Sequence, residues 1–199
     1  MTSLDGNSSG RLHVVGISGS VRRGSFNTAL LRASQEVAPD VMEIDIFELN
    51  DIPLYNDDLE DAGDPKSVAA LKSAIRRADG VLFVTPEHNH STSAVLKNAI
   101  DWASRDKAKG SLIGKPVTLM GAGGMFGTAR AQVQLQSVLA GMGALVMVKP
   151  GVLVTFPREK FDADGRLVDK TTRTILSDHL EKFAEWIARV GIRREATVA

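Results

Sequence analysis

Short apolar segments alternate with longer amphipathic segments along most of the chain. Five of the short segments have the continuous or alternating apolar pattern of β-strands. They are residues 12–17, 42–49, 81–85, 116–120 and 144–148, and residues 152–154 could continue the last of them. Because strands and helices alternate, the pattern predicts an α/β fold with a doubly wound five-stranded parallel sheet and helices on both faces.

The amphipathic segments show where the helices begin and which faces they bury. One helix is predicted to begin near Ser25, after a polar loop, and another at Pro65, a favourable residue for a first helical turn. Val95, Leu135 and Leu176 belong to the apolar faces of three later helices, because apolar side chains recur around each of them at helical spacing. The sequence therefore predicts five helices.

The chain is predicted to form one domain, because 199 residues are enough for one core without metal or disulfide support. This domain spans residues 11–190. Residues 1–10 are small and polar and are predicted to be disordered, and residues 191–199 are predicted to form a loose tail. Residues 51–58 contain a proline and several turn-forming residues, which predicts an irregular connection.

The composition is that of a globular protein, with 43% hydrophobic and 24% charged residues. Lys and Arg together number 24, as do Asp and Glu, so the formal net charge is zero. This balance predicts no nucleic-acid partner, and the lack of a long apolar run predicts no membrane partner. The chain has no cysteine, which excludes thiol catalysis and thiolate metal sites. Without a signal-like start, we expect a cytoplasmic protein.

Three polar segments follow predicted strands and are candidates for one binding site. They are residues 18–27, 85–93 and 121–127, which we call the first, second and third segments. Parallel sheets of this kind bind ligands beyond the carboxyl ends of their strands, where the strand order changes direction. We therefore expect the three segments to meet.

The first segment has the composition of an anion-binding site before a helix N-terminus, where unpaired N–H groups and the helix dipole favour negative charge. Arg22 would supply positive charge, and Ser20 and Ser25 would supply hydroxyl donors. Asn27 would supply its side-chain amide and its backbone N–H. These groups predict a phosphate ligand. The alternative is that Ser25 only caps the helix and Arg22 is solvated.

Two common phosphate motifs are incomplete in this chain. Gly19 and Gly24 have the spacing of a nucleoside-triphosphate loop, but Ser25 and Phe26 stand where that loop has a lysine and a magnesium-binding hydroxyl. In the third segment, a dinucleotide-like glycine pattern has its last glycine, Gly127, one position late. The first segment therefore predicts a phosphate that is held and not transferred.

Two other chemistries are alternatives. Residues 16–20 nearly form the nucleophile turn of a serine hydrolase around Ser18, but the last glycine of the motif is a serine, and His179 is the only histidine late enough for the usual order. His88 and His90 could form an alternating metal pair, but two ligands are too few for a structural zinc site, so no metal is predicted.

Three motifs together resemble those of the NADPH-dependent FMN reductases, and most closely the quinone and chromate reductase branch. They are Gly19-Ser-x-Arg22-x-x-Ser25-x-Asn27, Pro86-Glu-x-Asn89-x-Ser91 and Leu96-Lys-Asn-Ala-Ile-Asp-Trp102. The similarity spans about residues 12–190. It implies a flavodoxin-like fold that holds FMN non-covalently.

The resemblance also implies which residues surround the cofactor. The phosphate would bind the first segment, and the ribityl chain and isoalloxazine ring would lie along the second and third segments. The implied cofactor-binding residues are Ser20, Arg22, Ser25, Phe26, Asn27, Pro86, Glu87, His88, Asn89, Ser91, Gly121, Ala122, Gly123 and Gly124. Members of the family commonly form homodimers or homotetramers.

The implied activity is electron transfer from NADPH or NADH through bound FMN to quinones or other small oxidants such as flavins, chromate or azo compounds. Because the flavin carries the chemistry, no catalytic side chain is predicted. A non-enzymatic electron carrier of the flavodoxin type is the alternative, although its usual strongly acidic surface is absent from this neutral chain. The serine hydrolase is a more distant alternative.

The chain departs from the family pattern in the second segment. His88 stands where the family usually has tyrosine, and Ser93-Ala94 stands where it usually has Pro-Gly. An imidazole covers less of a ring than a phenol does, and the loss of Pro-Gly is expected to loosen the turn into the next helix. Both changes lie where the second substrate would dock.

Overall fold

The structure, a computed structural model, describes residues 10–105 and 110–196. Within these residues, five strands form one sheet with the order β2-β1-β3-β4-β5, and each neighbouring pair is parallel. The strands are β1 (Leu12–Ser18), β2 (Met42–Phe47), β3 (Gly80–Val84), β4 (Pro116–Gly123) and β5 (Leu145–Thr155). The predicted five-stranded parallel sheet is confirmed.

Helices cover both faces of this sheet. They are α1 (Phe26–Val37), α2 (Asp57–Asp61), α3 (Lys66–Arg77), α4 (Ala94–Ser104), α5 (Ala129–Gly141) and α6 (Lys170–Ala196). A single 3₁₀ turn, Pro157–Glu159, lies between β5 and α6. None of the helices in the described ranges is both long and apolar enough to cross a lipid bilayer.

Two apolar cores lie on opposite faces of the sheet. The core under α1 and α6 includes Leu30 and Phe183, and the core under α3, α4 and α5 includes Leu71 and Ile100. Every residue of β3 is buried, as expected for a continuously apolar strand covered on both sides. These two cores hold the sheet edge on which the candidate site is built.

The strand order changes direction at β1. From β1 the chain crosses to β2 on one side and then returns to β3 on the other side. The loops leaving β1 and β3 therefore diverge and leave a crevice at the carboxyl ends of these strands, where doubly wound proteins bind ligands. The first segment follows β1, the second follows β3 and the third begins within the end of β4.

Two strands are longer than predicted. β4 continues from Met120 through Gly123, so part of the predicted glycine loop belongs to the strand. β5 is continuous through Pro150, and an irregularity opposite Thr118–Met120 shifts the pairing from Met147 to Val152. A bulge of this kind absorbs residues that break the apolar pattern without ending the strand.

The helical predictions differ at two places. The short helix α2 lies where an irregular connection was predicted, because Asn56 caps it by accepting a hydrogen bond from the Asp58 N–H at 2.8 Å. At the other end, α6 passes through Gly191 to Ala196, where a loose tail was predicted. One glycine costs a helix only about 1 kcal/mol. Disorder was predicted for residues 1–10, of which residues 1–9 lie outside the described residues.

Candidate functional site

The three polar segments meet at the carboxyl ends of β1, β3 and β4. Asn27 Nδ2 donates to the Ala122 carbonyl at 3.0 Å, and Asn27 Oδ1 accepts from the Ala122 N–H at 2.9 Å. Ser93 Oγ donates to the Gly19 carbonyl at 2.6 Å. The first bond pair joins the first and third segments, and the last bond joins the first and second. The predicted meeting of the segments is confirmed.

Close backbone approach at this junction requires glycine. A Cβ atom on Gly19 would lie 2.9 Å from Leu96 Cβ and 3.0 Å from Pro86 Cδ. A Cβ atom on Gly123 would collide with the carbonyl oxygen of Gly127. Gly19 therefore lets the first segment approach the second, and Gly123 lets the third segment fold back on itself.

The first segment is held by its own hydroxyl groups. Ser25 Oγ accepts from the Thr28 N–H at 3.3 Å and caps α1, as the alternative interpretation of this residue required. Ser18 Oγ and Thr28 Oγ1 are 3.0 Å apart, and Ser18 Oγ also accepts from the Ser20 N–H at 3.3 Å. The Ser25 hydroxyl can still donate to an anion, because its bond to Thr28 uses only its oxygen as an acceptor.

The Asn27 side chain has a different role from the one expected of it. Both polar atoms of its amide are bonded to Ala122, and the residue is only 5% exposed. The amide therefore links two segments instead of pointing at a ligand. The backbone N–H groups of Phe26 and Asn27 lie in the first turn of α1, which has no intrahelical acceptors for them, and they remain candidate anion donors.

Arg22 lies, with Arg23, shortly before this helix N-terminus in the sequence. Its guanidinium is exposed and has no hydrogen bond or ion pair within residues 10–105 and 110–196. It lines two cavities on opposite sides of the first segment. An unpaired guanidinium beside a helix N-terminus gives this region positive potential. An anion that binds here would not have to break an existing ion pair of Arg22.

The first of these cavities has a volume of about 430 Å³, within the usual range for small-molecule sites. The first segment contributes Arg22 and Phe26, and the third contributes residues 122–124. The connection between β5 and α6 contributes residues 156–159, including the half-exposed Phe156. This last group was not predicted, because no recognisable motif marks it in the sequence.

The other cavity has a volume of about 460 Å³ and lies between the first segment and the end of β2. Its polar lining includes Ser20, Thr28 and Arg32. The second segment lines neither of these two cavities. It approaches the junction through the Ser93–Gly19 bond and through contacts with α5.

The second segment has a rigid turn at its tip. The His88 N–H donates to the Ser91 carbonyl and the Ser91 N–H donates to the His88 carbonyl, both at 2.9 Å. Asn89 and His90 between them have φ values of 49° and 65°. This is the left-handed region that asparagine tolerates best among residues with a side chain. The predicted site residues His88, Asn89 and Ser91 are therefore held in one fixed turn.

The Glu87 carboxylate caps helix α5. Its Oε2 accepts from the backbone N–H groups of Arg130 and Ala131 at 3.0 and 3.3 Å. Thr128, the residue before the helix, makes no side-chain capping bond. Glu87 therefore supplies from the second segment the cap that α5 lacks locally, and an acidic side chain at a helix N-terminus stabilises the helix.

The turn into α4 is not loosened by the loss of Pro-Gly, contrary to expectation, because Ser93 holds it. Its hydroxyl oxygen accepts from the Leu96 N–H at 3.2 Å, so Ser93 caps α4. The same hydroxyl donates its proton to the Gly19 carbonyl, and the residue is 2% exposed. The turn is therefore held by a capping residue that also joins two segments.

The site fits a ligand with an anionic end and an apolar planar part. Arg22 and the α1 N-terminus supply positive potential on the first segment. Phe26 and Phe156 supply apolar surface in the same cavity. A Cβ atom on Gly124 would have no heavy atom within 4 Å, so the chain leaves open space there. A flavin mononucleotide has both of these chemical parts.

The serine hydrolase alternative finds no support in the geometry. Ser18 Oγ is bonded to Thr28, while His179 is fully buried and lies 3.0 Å from Thr118 Oγ1 through Nε2. His179 Nδ1 lies 2.9 Å from the Pro150 carbonyl and donates to it, because a carbonyl only accepts. Burial lowers the pKa of His179 to about 4. This histidine is a neutral core residue that does not contact Ser18.

The alternating histidines are not placed like a metal pair. His90 Nδ1 lies 2.9 Å from Arg130 Nη1, so a cationic group already occupies that nitrogen. Nowhere in the described ranges do three acidic or histidine side chains group as metal ligands would. The His90 imidazole therefore accepts a hydrogen bond from Arg130 of α5 instead of binding a metal through this nitrogen.

The comparisons with known proteins agree with this geometry. The family model described as NADPH-dependent FMN reductase matches residues 12–158. An NAD(P)H-dependent FMN reductase of Pseudomonas aeruginosa is 42% identical over 90% of this chain and 97% of its own. A quinone reductase of Escherichia coli is 42% identical over 92% of this chain and 98% of its own.

Among solved structures, the flavoenzyme NAD(P)H:(acceptor) oxidoreductase FerB of Paracoccus denitrificans is similar, with a TM-score of 0.82 and 36% identity. The match covers 89% of this chain and 98% of that one. These matches confirm the predicted flavodoxin-like fold, the FMN cofactor and the reductase class. The chain belongs to the family of NADPH-dependent FMN reductases.

Proposed function

We propose that the protein accepts hydride from NADPH or NADH at bound FMN and passes electrons to a quinone or another small oxidant, such as a flavin, chromate or an azo compound. The observation that carries this proposal is the junction of the three segments. Asn27–Ala122 and Ser93–Gly19 hydrogen bonds bring an unpaired arginine, a helix N-terminus and an apolar cavity to one edge of the sheet.

The first segment would hold the phosphate of FMN. Arg22 would supply the charge, and the hydroxyl groups of Ser20 and Ser25 would donate hydrogen bonds. The backbone N–H groups of Phe26 and Asn27 would complete the anion site at the start of α1. One charge-assisted bond contributes about 1.5–3 kcal/mol, so a few of them retain a phosphomonoester firmly.

The second and third segments would hold the rest of the cofactor. Pro86 and residues 87–91 would lie along one side, and residues 121–124 along the other. The bound flavin supplies hydride acceptance and electron delivery, and the protein supplies binding, orientation and the hydrogen bonds that tune it. The open space at Gly124 would leave one face accessible to two substrates in turn.

We also propose that the enzyme works as a homodimer or homotetramer. Apolar side chains near the site are exposed, among them Met125 at 66%, Phe126 at 54% and Phe156 at 49%. Adjacent exposed apolar side chains of this size are typical of protein–protein interfaces. Light scattering of the purified protein at several concentrations measures the assembly directly, and a monomer at all of them would contradict this proposal.

The absence of cysteine from the sequence supports a place in the reducing cytoplasm, which fractionation of cells can test. The enzymatic activity is tested by following NADPH oxidation at 340 nm with p-benzoquinone as the acceptor. We expect many turnovers per protein-bound FMN and hydroquinone formed in equal amount to the NADPH consumed. Stoichiometric reduction without turnover, at full FMN occupancy, would instead identify an electron carrier.

A further inference from the structure

Arg130 connects the second segment to the third. Its Nη1 atom lies 2.9 Å from His90 Nδ1 and 3.4 Å from Glu87 Oε1, both in the second segment. Its guanidinium also lies over the ring of Phe126 in the third segment, 4.6 Å from the ring centroid. One side chain at the start of α5 therefore contacts both segments that follow β3 and β4.

These contacts are of kinds that fix geometry. Glu87 is held from two directions, because its other oxygen accepts from the backbone N–H groups at the start of α5. Its side chain is 14% exposed, so its charge-assisted bond to Arg130 is partly shielded from water. The neighbouring turn of α5 adds a further bond, in which Gln134 Nε2 donates to the His90 carbonyl at 3.1 Å.

The turn at Asn89 and His90 needs such support. Both residues have positive φ values, a conformation that side-chain-bearing residues leave readily unless their surroundings hold them. The guanidinium can only donate, so the bond to His90 requires an unprotonated Nδ1 and fixes the orientation of the ring. Arg130 thereby fixes both the backbone turn and the His90 imidazole. His90 lies two residues after His88, the position where the family usually has tyrosine.

We propose that Arg130 is a positioning residue for the second substrate. It sets the placement of the His88–Ser91 turn relative to the third segment, and thereby the shape of the opening through which the electron acceptor reaches the flavin. It does so without holding the phosphate of FMN, which belongs to the first segment. This inference rests on the proposed function, since it assumes that these segments flank the flavin ring.

The first test measures the turn itself in the full-length protein as purified. In Arg130→Met, amide hydrogen exchange in residues 87–91 should become about three- to tenfold faster, because the bonds to Glu87 and His90 are lost. Exchange in the core strand β3 should stay unchanged. Equal protection of residues 87–91 in the variant and the original protein would overturn the proposal.

The second test measures kinetics with p-benzoquinone. In Arg130→Met the KM for the quinone should rise about three- to tenfold while kcat and FMN retention stay within about twofold. Arg130→Lys should recover only part of the loss, since an ammonium can pair with Glu87 but does not lie flat on Phe126. Weaker FMN retention, as great as that expected for Arg22→Ala, would overturn the assignment.

A matched control is available on the opposite side of the molecule. Arg173 in α6 makes a similar exposed ion pair with Glu36 in α1, at 2.8 Å. Arg173→Met should therefore leave the quinone KM and the exchange of residues 87–91 unchanged. An equal rise in KM in this control would show a nonspecific effect and overturn the specific role of Arg130.

A double variant tests whether Arg130 acts through His90. If it does, His90→Ala combined with Arg130→Met should raise the quinone KM no more than the larger single effect. Fully additive effects would overturn the coupling. Failure of the proposed function looks different, because the original protein would then bind FMN without reducing quinone, while the hydrogen-exchange test of the turn would keep its expected outcome.

Discussion

Asn27 and Ala122 exchange two hydrogen bonds, one through each polar atom of the asparagine amide. Asn27 lies in the first turn of α1 and Ala122 near the end of β4, 95 positions apart in the sequence. A side-chain amide can donate and accept in this way with a single backbone residue, whereas a carboxylate can only accept. The pair therefore fixes the N-terminus of α1, where the phosphate would bind, against the strand end beside the flavin ring.

Asn27→Asp should break this junction, because a carboxylate cannot donate to the Ala122 carbonyl and repels it instead. We expect a loss of about 2 kcal/mol in the free energy of unfolding, since a buried carbonyl is left without its donor. FMN affinity should fall about tenfold as the two segments separate. Urea denaturation and fluorescence titration with FMN measure the two effects.

Asn98 provides the matched control, because it exchanges the same kind of bonds elsewhere. Its Nδ2 donates to the Pro53 carbonyl at 2.8 Å and its Oδ1 accepts from the Tyr55 N–H at 2.7 Å. Asn98→Asp should lower stability but leave FMN affinity within about twofold. An equal loss of FMN affinity in both variants would show that Asn27 acts only through general stability.

Arg22→Ala should weaken FMN retention while leaving the fold intact, because its exposed guanidinium has no partner in the part of the chain that the structure describes. The loss of one charge-assisted bond to the phosphate corresponds to about a ten- to hundredfold rise in the FMN dissociation constant. Equilibrium dialysis measures it. Arg189→Ala, which removes an exposed arginine from α6, should change nothing, and an unchanged constant for Arg22→Ala would remove Arg22 from the site.

His179 should make stability depend on pH. Burial lowers its pKa to about 4 in the folded protein, against about 6.5 in the unfolded chain. Between these values the unfolded chain binds a proton that the folded protein does not, so stability is full above pH 6.5 and falls as the pH drops toward 4. His179 should therefore lower the free energy of unfolding by about 3 kcal/mol as the pH drops through this window.

The measurement compares the original protein with His179→Gln, whose side chain does not titrate but can donate to the Pro150 carbonyl. The difference in unfolding free energy between the two proteins should shift by about 3 kcal/mol in favour of the variant from pH 7 to pH 4. Thr174→Ser, on the same helix, is the control with no expected pH effect, because the Thr174 hydroxyl is exposed and donates only to the Lys170 carbonyl. A difference independent of pH would show that the pKa of His179 is the same in the folded and unfolded states and would contradict this prediction.

The apolar pattern was sufficient to predict the sheet and the meeting of the three segments. β3 is recognisable because every residue of it is apolar or glycine, and this pattern requires burial on both faces. Once the strands were parallel, their carboxyl ends had to share one edge. Local capping could be predicted in the same way, as Ser25 before α1 shows.

Contacts between distant segments could not be predicted from local pattern. The Glu87 cap on α5, the Arg130–His90 bond and the Asn27–Ala122 pair all depend on which loops become neighbours after folding. Phe156 enters the cavity from a segment with no motif. Gly191 carries a helix-ending signal that α6 overrides at small cost.

Titration of the FMN-free protein with FMN is the decisive measurement of whether the three segments form a flavin site. We expect saturable binding of one FMN per chain, with the absorption bands of a protein-bound flavin, in the original protein. Arg22→Ala and Asn27→Asp should bind more weakly, while Arg189→Ala should bind like the original. A protein that takes up no FMN, or three variants that all bind as tightly as the original, would show that the junction of the three segments is not the FMN site.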